Sequence, residues 1–248
     1  PNIDGTIRML MKKVILRRER SIYMPVTGLD QIFQRILSDG KRFGSVGQYE
    51  EIRGKLNFEI DPSNVANTRI TDIDLAPRNE EGKVVFDSDI SIIRPVDLSK
   101  ISGKLLLDGV NRGNRVALPN FNMGTRPVID KTTPVDVEVD LGDGLLMEMG
   151  YVVVACGWQL DAPPHEALIT MRGPEALDPS GSRLKDKVYM QLQSPEDTHN
   201  FLLSDKNHKP YRAYDLNESD ALVEIRDMPD GPAETMPRDD WRFGRIDS

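Results

Sequence analysis

The sequence predicts a strand-rich, mixed α/β fold. Residues 52–60 and 84–94 alternate apolar with polar side chains, which is typical of strands that place one face on a core. A compact helical pattern at 143–150, with Asp near its start and Gly at its end, precedes the apolar run at 151–158. Such a run is typical of a strand buried on both faces, as parallel strands are. We therefore expect antiparallel strands that lead into a β-α-β unit.

Composition limits the classes of partner. The chain has 248 residues, of which 38% are hydrophobic and 29% charged, as is ordinary for a soluble chain of one large or two small domains. The net charge of −8 argues against nucleic acid as a partner, because phosphate binding needs a clustered excess of Lys and Arg. One cysteine allows no intramolecular disulfide and leaves the cytoplasm only as the default compartment.

Residues 1–40 are predicted to form a basic terminus and a short helix. The basic side chains surround two short apolar runs: Arg8, Lys12, Lys13, Arg17, Arg18 and Arg20. A membrane span needs about 20 apolar residues, so none is predicted, and an edge strand or frayed terminus is favoured over binding to a membrane surface. Apolar residues at helical spacing in 28–40, with Gly40 as a stop, predict a short amphipathic helix.

The main sheet is predicted within residues 41–160. A strand at 69–75 joins those at 52–60 and 84–94, and the short apolar run at 104–110 adds another, followed by a polar loop that contains glycine. Several aspartates alternate along these strands as on a solvated sheet face: Asp61, Asp72, Asp74, Asp87 and Asp89.

Residues 161–248 are predicted to form a β-rich insertion and tail. Alternating patterns at 167–172, 187–193 and 221–226 indicate further strands, with a shorter apolar piece at 199–204.

No metal or cofactor site is predicted. His165 and Glu166 begin like a zinc-binding H-E-x-x-H motif, but Ile169 stands where the second histidine should be. His199 and His208 have no partner at ligand spacing. Residues 178–182 lack the acidic ligands of a calcium loop and predict a turn. Cys156, within a valine-rich strand, is predicted to be a buried and unreactive thiol.

Several segments carry a family resemblance. "FGSVGQYEEIRGKLNFEIDPSN", "ITDIDLAPRN", "GNRVALPNFN" and "VYMQLQSPEDTHNFLLSD" resemble the amino-terminal half of the alpha/beta hydrolase domain-containing proteins. "GLLMEMGYVVVACGWQ" is similar to the helix and strand that precede the nucleophile in α/β-hydrolases. The resemblance runs over about residues 43–243. It implies that residues 41–160 form part of an α/β-hydrolase sheet.

The resemblance also implies a serine hydrolase mechanism, with the nucleophile on a G-x-S-x-G elbow. The sequence contains no such elbow, as a chain that ends before that segment would lack it, so no catalytic residue is assigned. In this fold the loop after the strand at 104–110 supplies an oxyanion-hole N–H. Asn111, Arg112 and Gly113 occupy that place. The other interpretation is that Asn and Gly there merely allow a positive-φ turn.

The function predicted first is therefore the amino-terminal part of an ester hydrolase, inactive by itself. It would contribute scaffold and an oxyanion loop, and its partner would be the missing carboxy-terminal half or a second copy of the chain. A small-molecule ester would be a substrate only of the complete protein. The alternative is a self-standing β-rich binding or interaction module on a degenerate hydrolase scaffold, whose exposed edge receives a partner.

Overall fold

The computed structural model describes residues 25–126, 129, 133–134, 136–163, 165–193, 198–204, 211 and 213–244. The described chain divides into two compact units, one up to Leu184 and one from Lys185 onward. The basic terminus and His208, both considered above, lie outside the described residues. Among the helices that are described, none has the length and hydropathy to cross a lipid bilayer.

The first unit is built on one mixed sheet. Its strands are β1 (Val26–Ile36), β2 (Tyr49–Ile60), β3 (Val84–Pro95), β4 (Leu105–Gly109), β5 (Val152–Cys156) and β6 (Met171–Arg172). Their order is β1-β2-β3-β5-β4, with β6 also paired to β3. All pairs are antiparallel except β4 with β5, which is parallel. The strand-rich mixed α/β class and the β-α-β unit predicted from sequence are confirmed.

Helices are few and short. Two α-helices are described, α1 (Ala117–Phe121) and α2 (Leu145–Glu148), and α2 lies in the connection between β4 and β5. Single 3-10 turns occupy Ser38–Gly40, Ile73–Leu75, Leu98–Lys100 and Arg238–Asp240.

Both faces of the sheet carry apolar side chains. On one face, Tyr49, Ile93 and Val153 pack in one cluster with residues of α1 and α2. The Tyr49 hydroxyl lies 3.1 Å from the carbonyl oxygen of Met147 and 3.0 Å from that of Tyr151, so it joins β2 to the turn between α2 and β5. The opposite face has a separate cluster: Ile52, Leu56, Ile90, Ile92 and Val152.

The helix predicted at 28–40 is wrong, because these residues form most of β1. The register of β1 on β2 shifts between Val26 and Gly28 and again between Gln31 and Phe33. Each shift adds a residue to one strand and moves the following side chains to the other face. The apolar residues of β1 therefore lose their two-residue period and resemble a helical pattern.

Two further predicted strands are also wrong. Residues 69–75 form turns and the 3-10 turn Ile73–Leu75, held by i to i+3 backbone bonds. Residues 187–193 are in no strand, and Val188 and Tyr189 are exposed. An alternating segment forms a strand only where a neighbouring strand completes its hydrogen bonds, and neither segment has such a neighbour among the described residues.

The β-rich insertion is much poorer in strands than predicted. Beyond residue 161 the described chain has only β6, β7 (Glu224–Ile225) and β8 (Glu234–Thr235), of two residues each. The second unit contains the β7–β8 pair, and no hydrophobic side chain described in that unit is buried.

Candidate functional site

The segment between β4 and α1 is a tight turn. Asn111 and Asn114 exchange two backbone hydrogen bonds of 2.9 Å, which leaves Arg112 and Gly113 as the two central residues. Both have positive φ, +50° for Arg112 and +82° for Gly113, as two-residue turns of type I′ require. The positive-φ turn considered from sequence is therefore present, and the oxyanion role stays a prediction.

The three candidate N–H groups differ in what they bond. The Asn111 N–H is used within the turn, where it donates to the carbonyl oxygen of Asn114. The Arg112 N–H donates to the side-chain oxygen Oε1 of Gln159 at 2.6 Å. The Gly113 N–H has no acceptor among the residues that the structure describes. Only the Arg112 N–H therefore donates to a side chain.

The turn rests on the segment that follows β5. The Ile169 N–H donates to the Gly113 carbonyl oxygen at 2.9 Å, and Trp158 Nε1 donates to the Val110 carbonyl oxygen at 2.7 Å. A Cβ added to Gly113 would lie 2.7 Å from Cβ of Leu168, closer than two carbons can approach. Glycine is therefore required there both for its φ and for its size.

Asp108, near the end of β4, holds the start of α1. Its Oδ2 accepts hydrogen bonds from the N–H groups of Val116 at 2.8 Å and Ala117 at 2.9 Å. These donors have no partner within the helix, and Val116 at the N-cap provides no side-chain acceptor. Asp108 therefore acts as a cap from the preceding strand and stabilises the first residues of α1.

Beneath the turn, the sheet carries a buried charge cluster, which consists of Arg35, Glu51, Arg53, Ser91 and Arg115. Glu51 is fully buried and accepts hydrogen bonds from Ser91 Oγ at 2.6 Å and from Arg115 and Arg35 at 2.7 Å each. Burial raises the pKa of Glu51, but the Arg115 charge and the bonds from Ser91 and Arg35 outweigh it and hold this pKa below its ordinary value. Glu51 is therefore a buried anion.

Arg53 joins the charge cluster to the segment under Gly113. Its side chain is buried, and Nη2 donates to the carbonyl oxygens of Leu168 at 2.8 Å and Glu166 at 3.3 Å. Burial, and then the nearby charge of Arg115, lower the pKa of Arg53 to about 10. The cluster thus contacts the turn from two sides, through Arg115 on its carboxyl side and through Leu168 beneath it.

The charge cluster and Asp108 hold several buried polar atoms that have no hydrogen-bond partner within the described part of the chain. These are Arg35 Nε, Arg53 Nη1, Asp108 Oδ1 and Arg115 Nε. Buried polar atoms are usually satisfied, and clustering of the exceptions in one region marks it as unlike an ordinary core.

Asp89, which lies on the same sheet face, corrects the prediction of a solvated aspartate row. It is buried and accepts bonds of 2.9 Å from both terminal nitrogens of Arg172, and further bonds from Thr170. Burial raises its pKa, but the bonds from Arg172 and Thr170 outweigh that effect and lower it. The Asp89–Arg172 ion pair joins β3 to β6, so Asp89 has a structural role in the sheet.

No catalytic set is assembled among the described residues. No serine or cysteine side chain there bonds a histidine, and no group of three potential metal ligands comes together. His165 Nδ1 accepts the Ala167 N–H at 3.1 Å, within its own turn. Residues 178–182 form the predicted turn, in which Asp178 accepts from the N–H groups of Ser180 and Ser182. Cys156 is only partly buried.

Sequence reasoning missed the charge cluster. A signal was available, since Glu51 and Arg53 sit two apart on a strand whose alternate residues Ile52 and Leu56 are apolar. Ser91 pairs across the strands with Arg53, which places it on the same face. The basic partners Arg35 and Arg115 come from β1 and from the residue after the turn, and no local pattern connects them.

Models of known protein families, curated proteins and solved structures were each compared with this chain, and none of the three comparisons gave a match.

Proposed function

We propose that this chain forms the amino-terminal part of a serine ester hydrolase and provides the sheet and the oxyanion loop. The observation that carries the proposal is the tight turn at 111–114 between the parallel strand β4 and helix α1. In α/β-hydrolases one oxyanion N–H comes from the loop between a parallel strand and the first helix. The turn has the same place in the order of elements.

The sheet supports the proposal in a second way. Antiparallel strands followed by a parallel pair with a helix in its connection fit the first half of such a sheet. Strand β4 is at the end of the described sheet, and Leu107 on it is 63% exposed. A further parallel strand that carries the nucleophile would pair with this edge and bury the leucine.

In this proposal the catalytic groups are divided between this chain and a further part of the protein. Backbone N–H groups that point to the position of the developing negative charge stabilise the tetrahedral intermediate of acyl transfer. The turn contributes such a donor, while nucleophile, base and acid come from outside these residues. The sequence has no G-x-S-x-G elbow, so this chain by itself is expected not to hydrolyse esters.

The test begins with the reading frame beyond the codon for Ser248. We expect it to continue into a G-x-S-x-G segment. The longer product should hydrolyse p-nitrophenyl acetate and be labelled by a fluorophosphonate at that serine, while residues 1–248 alone should do neither. A stop codon directly after Ser248, with no neighbouring gene for a second half, would contradict the proposal.

A second candidate function is a binding module, favoured by the second unit. Its exposed side chains include Tyr189 at 80%, Tyr214 at 72% and Leu222 at 76%. Aromatic residues are enriched at protein interfaces. A purified chain that stays monomeric and melts cooperatively, from a gene that stops at Ser248, would favour this function over the hydrolase.

A further inference from the structure

We propose that the main-chain N–H of Arg112 is the oxyanion donor of the turn and that the side-chain oxygen of Gln159 occupies it until a substrate carbonyl oxygen replaces it. This inference rests on the proposed hydrolase function and identifies both the donor and a residue that regulates access to it.

Of the three candidate N–H groups, only that of Arg112 already donates to a carbonyl oxygen outside the turn, whereas Gly113 is buried. The Asn111 N–H is committed to the Asn114 carbonyl oxygen, so releasing it would open the turn. The Arg112 N–H points out of the turn to Gln159, and losing that bond leaves both Asn111–Asn114 bonds in place. An N–H that binds substrate must donate outside the turn, because it has to change partners without unfolding its loop.

The side chain of Gln159 carries the same type of oxygen as an ester substrate. Its Oε1 is the oxygen of a carboxamide, an sp² carbonyl oxygen like that of an ester, and it lies 2.6 Å from the Arg112 nitrogen. That distance is slightly below the usual range of about 2.7–3.2 Å for an N–H···O hydrogen bond. The N–H therefore already donates to a carbonyl-type oxygen, the kind of atom on which the negative charge of an oxyanion develops.

The side chain of Gln159 has freedom to leave. Its own carbonyl oxygen is fixed by a bond of 3.1 Å from the Met171 N–H, and the residue is only half-buried. Rotation about the side-chain bonds can therefore move the carboxamide away while the backbone stays in place. Gln159 follows β5 and the turn follows β4, so both lie at the carboxyl ends of the parallel pair, where α/β proteins bind ligands.

Occupancy by Gln159 has a measurable consequence. An internal ligand that must be displaced weakens the apparent affinity of an external one in proportion to its occupancy. A net hydrogen bond of about 1 kcal/mol corresponds to an affinity change of about fivefold. Removing the Gln159 side chain should therefore strengthen binding of a small carboxylate at the Arg112 N–H by about that factor.

The experiment follows the Arg112 amide signal of the 15N-labelled chain during titration with acetate, a carboxylate probe that needs no nucleophile. In Gln159→Ala we expect this amide proton to move upfield before any addition and acetate to bind about fivefold more tightly than in wild type. Gln159→Glu supplies a charged acceptor, so its Arg112 amide should move downfield and acetate should bind more weakly than in wild type. The matched control is Gln191→Ala, an exposed residue of the second unit, which should change neither.

An Arg112 amide that is unmoved in both Gln159 variants, or acetate affinities equal across them, would overturn the inference. If Gln159→Ala does not fold, Gln159→Asn retains the carboxamide one methylene short of the N–H and should give the same upfield shift. Failure of the proposed function would give a different result, because a reading frame without a nucleophile would leave these amide shifts unchanged.

Discussion

Arg115 Nη2 donates to Glu51 Oε1 at 2.7 Å and thereby joins β2 to the residue that follows the tight turn. Glu51 is fully buried, whereas the Arg115 side chain retains 16% exposure. The candidate oxyanion loop is therefore held against the sheet by an ion pair from inside the molecule, in addition to its own backbone bonds.

Replacing Glu51 by Gln should destabilise the protein strongly. The substitution removes the carboxylate that bonds both Arg115 and Arg35, and losing one partner of a buried pair costs about 3 kcal/mol or more. Urea unfolding checks this value. Glu81→Gln, at an exposed turn position, is the control and should stay within about 0.5 kcal/mol of wild type. Equal effects of the two changes would contradict a buried ion cluster.

Stability should fall in acid. The pKa values of Glu51 and Asp89 lie below their ordinary 4.5 and 3.8, so both groups hold protons less tightly in the folded than in the unfolded chain. Their contribution is complete above these ordinary values and is lost as pH falls through the lower folded ones. Urea unfolding from pH 7 down to about pH 3 should show the decline. A Glu51→Gln, Asp89→Asn double variant should be less stable at neutral pH but show a shallower decline, and parallel curves would refute the assignment.

Alanine at Gly113 should cost more than alanine at Gly103, although the two glycines have similar φ, +82° and +79°. Nothing lies near a Cβ at Gly103, so that variant should lose only about 1 kcal/mol of backbone strain. At Gly113 the contact with Leu168 adds overpacking of about 1 kcal/mol or more. Thermal or urea unfolding of the two variants measures the difference, and equal losses would show that the turn is not pressed against Leu168.

Self-association should depend on the edge of β4. Leu107 is exposed on a strand with a neighbour on one side only among those described, and open apolar edges pair with other chains. Sedimentation velocity at increasing concentration should detect association of wild type and a shift to monomer in Leu107→Lys. Val65→Lys, 83% exposed in a turn, is the control and should associate like wild type. Association that persists in Leu107→Lys would place the contact elsewhere.

The long strands that alternation predicted correctly, β2 and β3, are those that pair with each other along their whole length. Strands β2 and β3 pair over all their residues without interruption, so their alternation survives in the sequence. Strand β1 also pairs with β2, but two register shifts interrupt the alternation of its apolar and polar residues. A pattern read along one chain carries no information about the partner strand, and the pairing decides between strand and turn.

The sequence by itself determined the strand-rich class, the β-α-β unit and the place of the turn, because alternation, short apolar runs and Asn-Arg-Gly-Asn act over a few neighbouring residues. Only the tertiary structure decided what the turn contacts. Glu51 and Arg115 are 64 residues apart, and Arg112 and Gln159 are 47 apart. Burial strengthens such long-range bonds between charged and polar groups, and pairing of the strands brings the groups together.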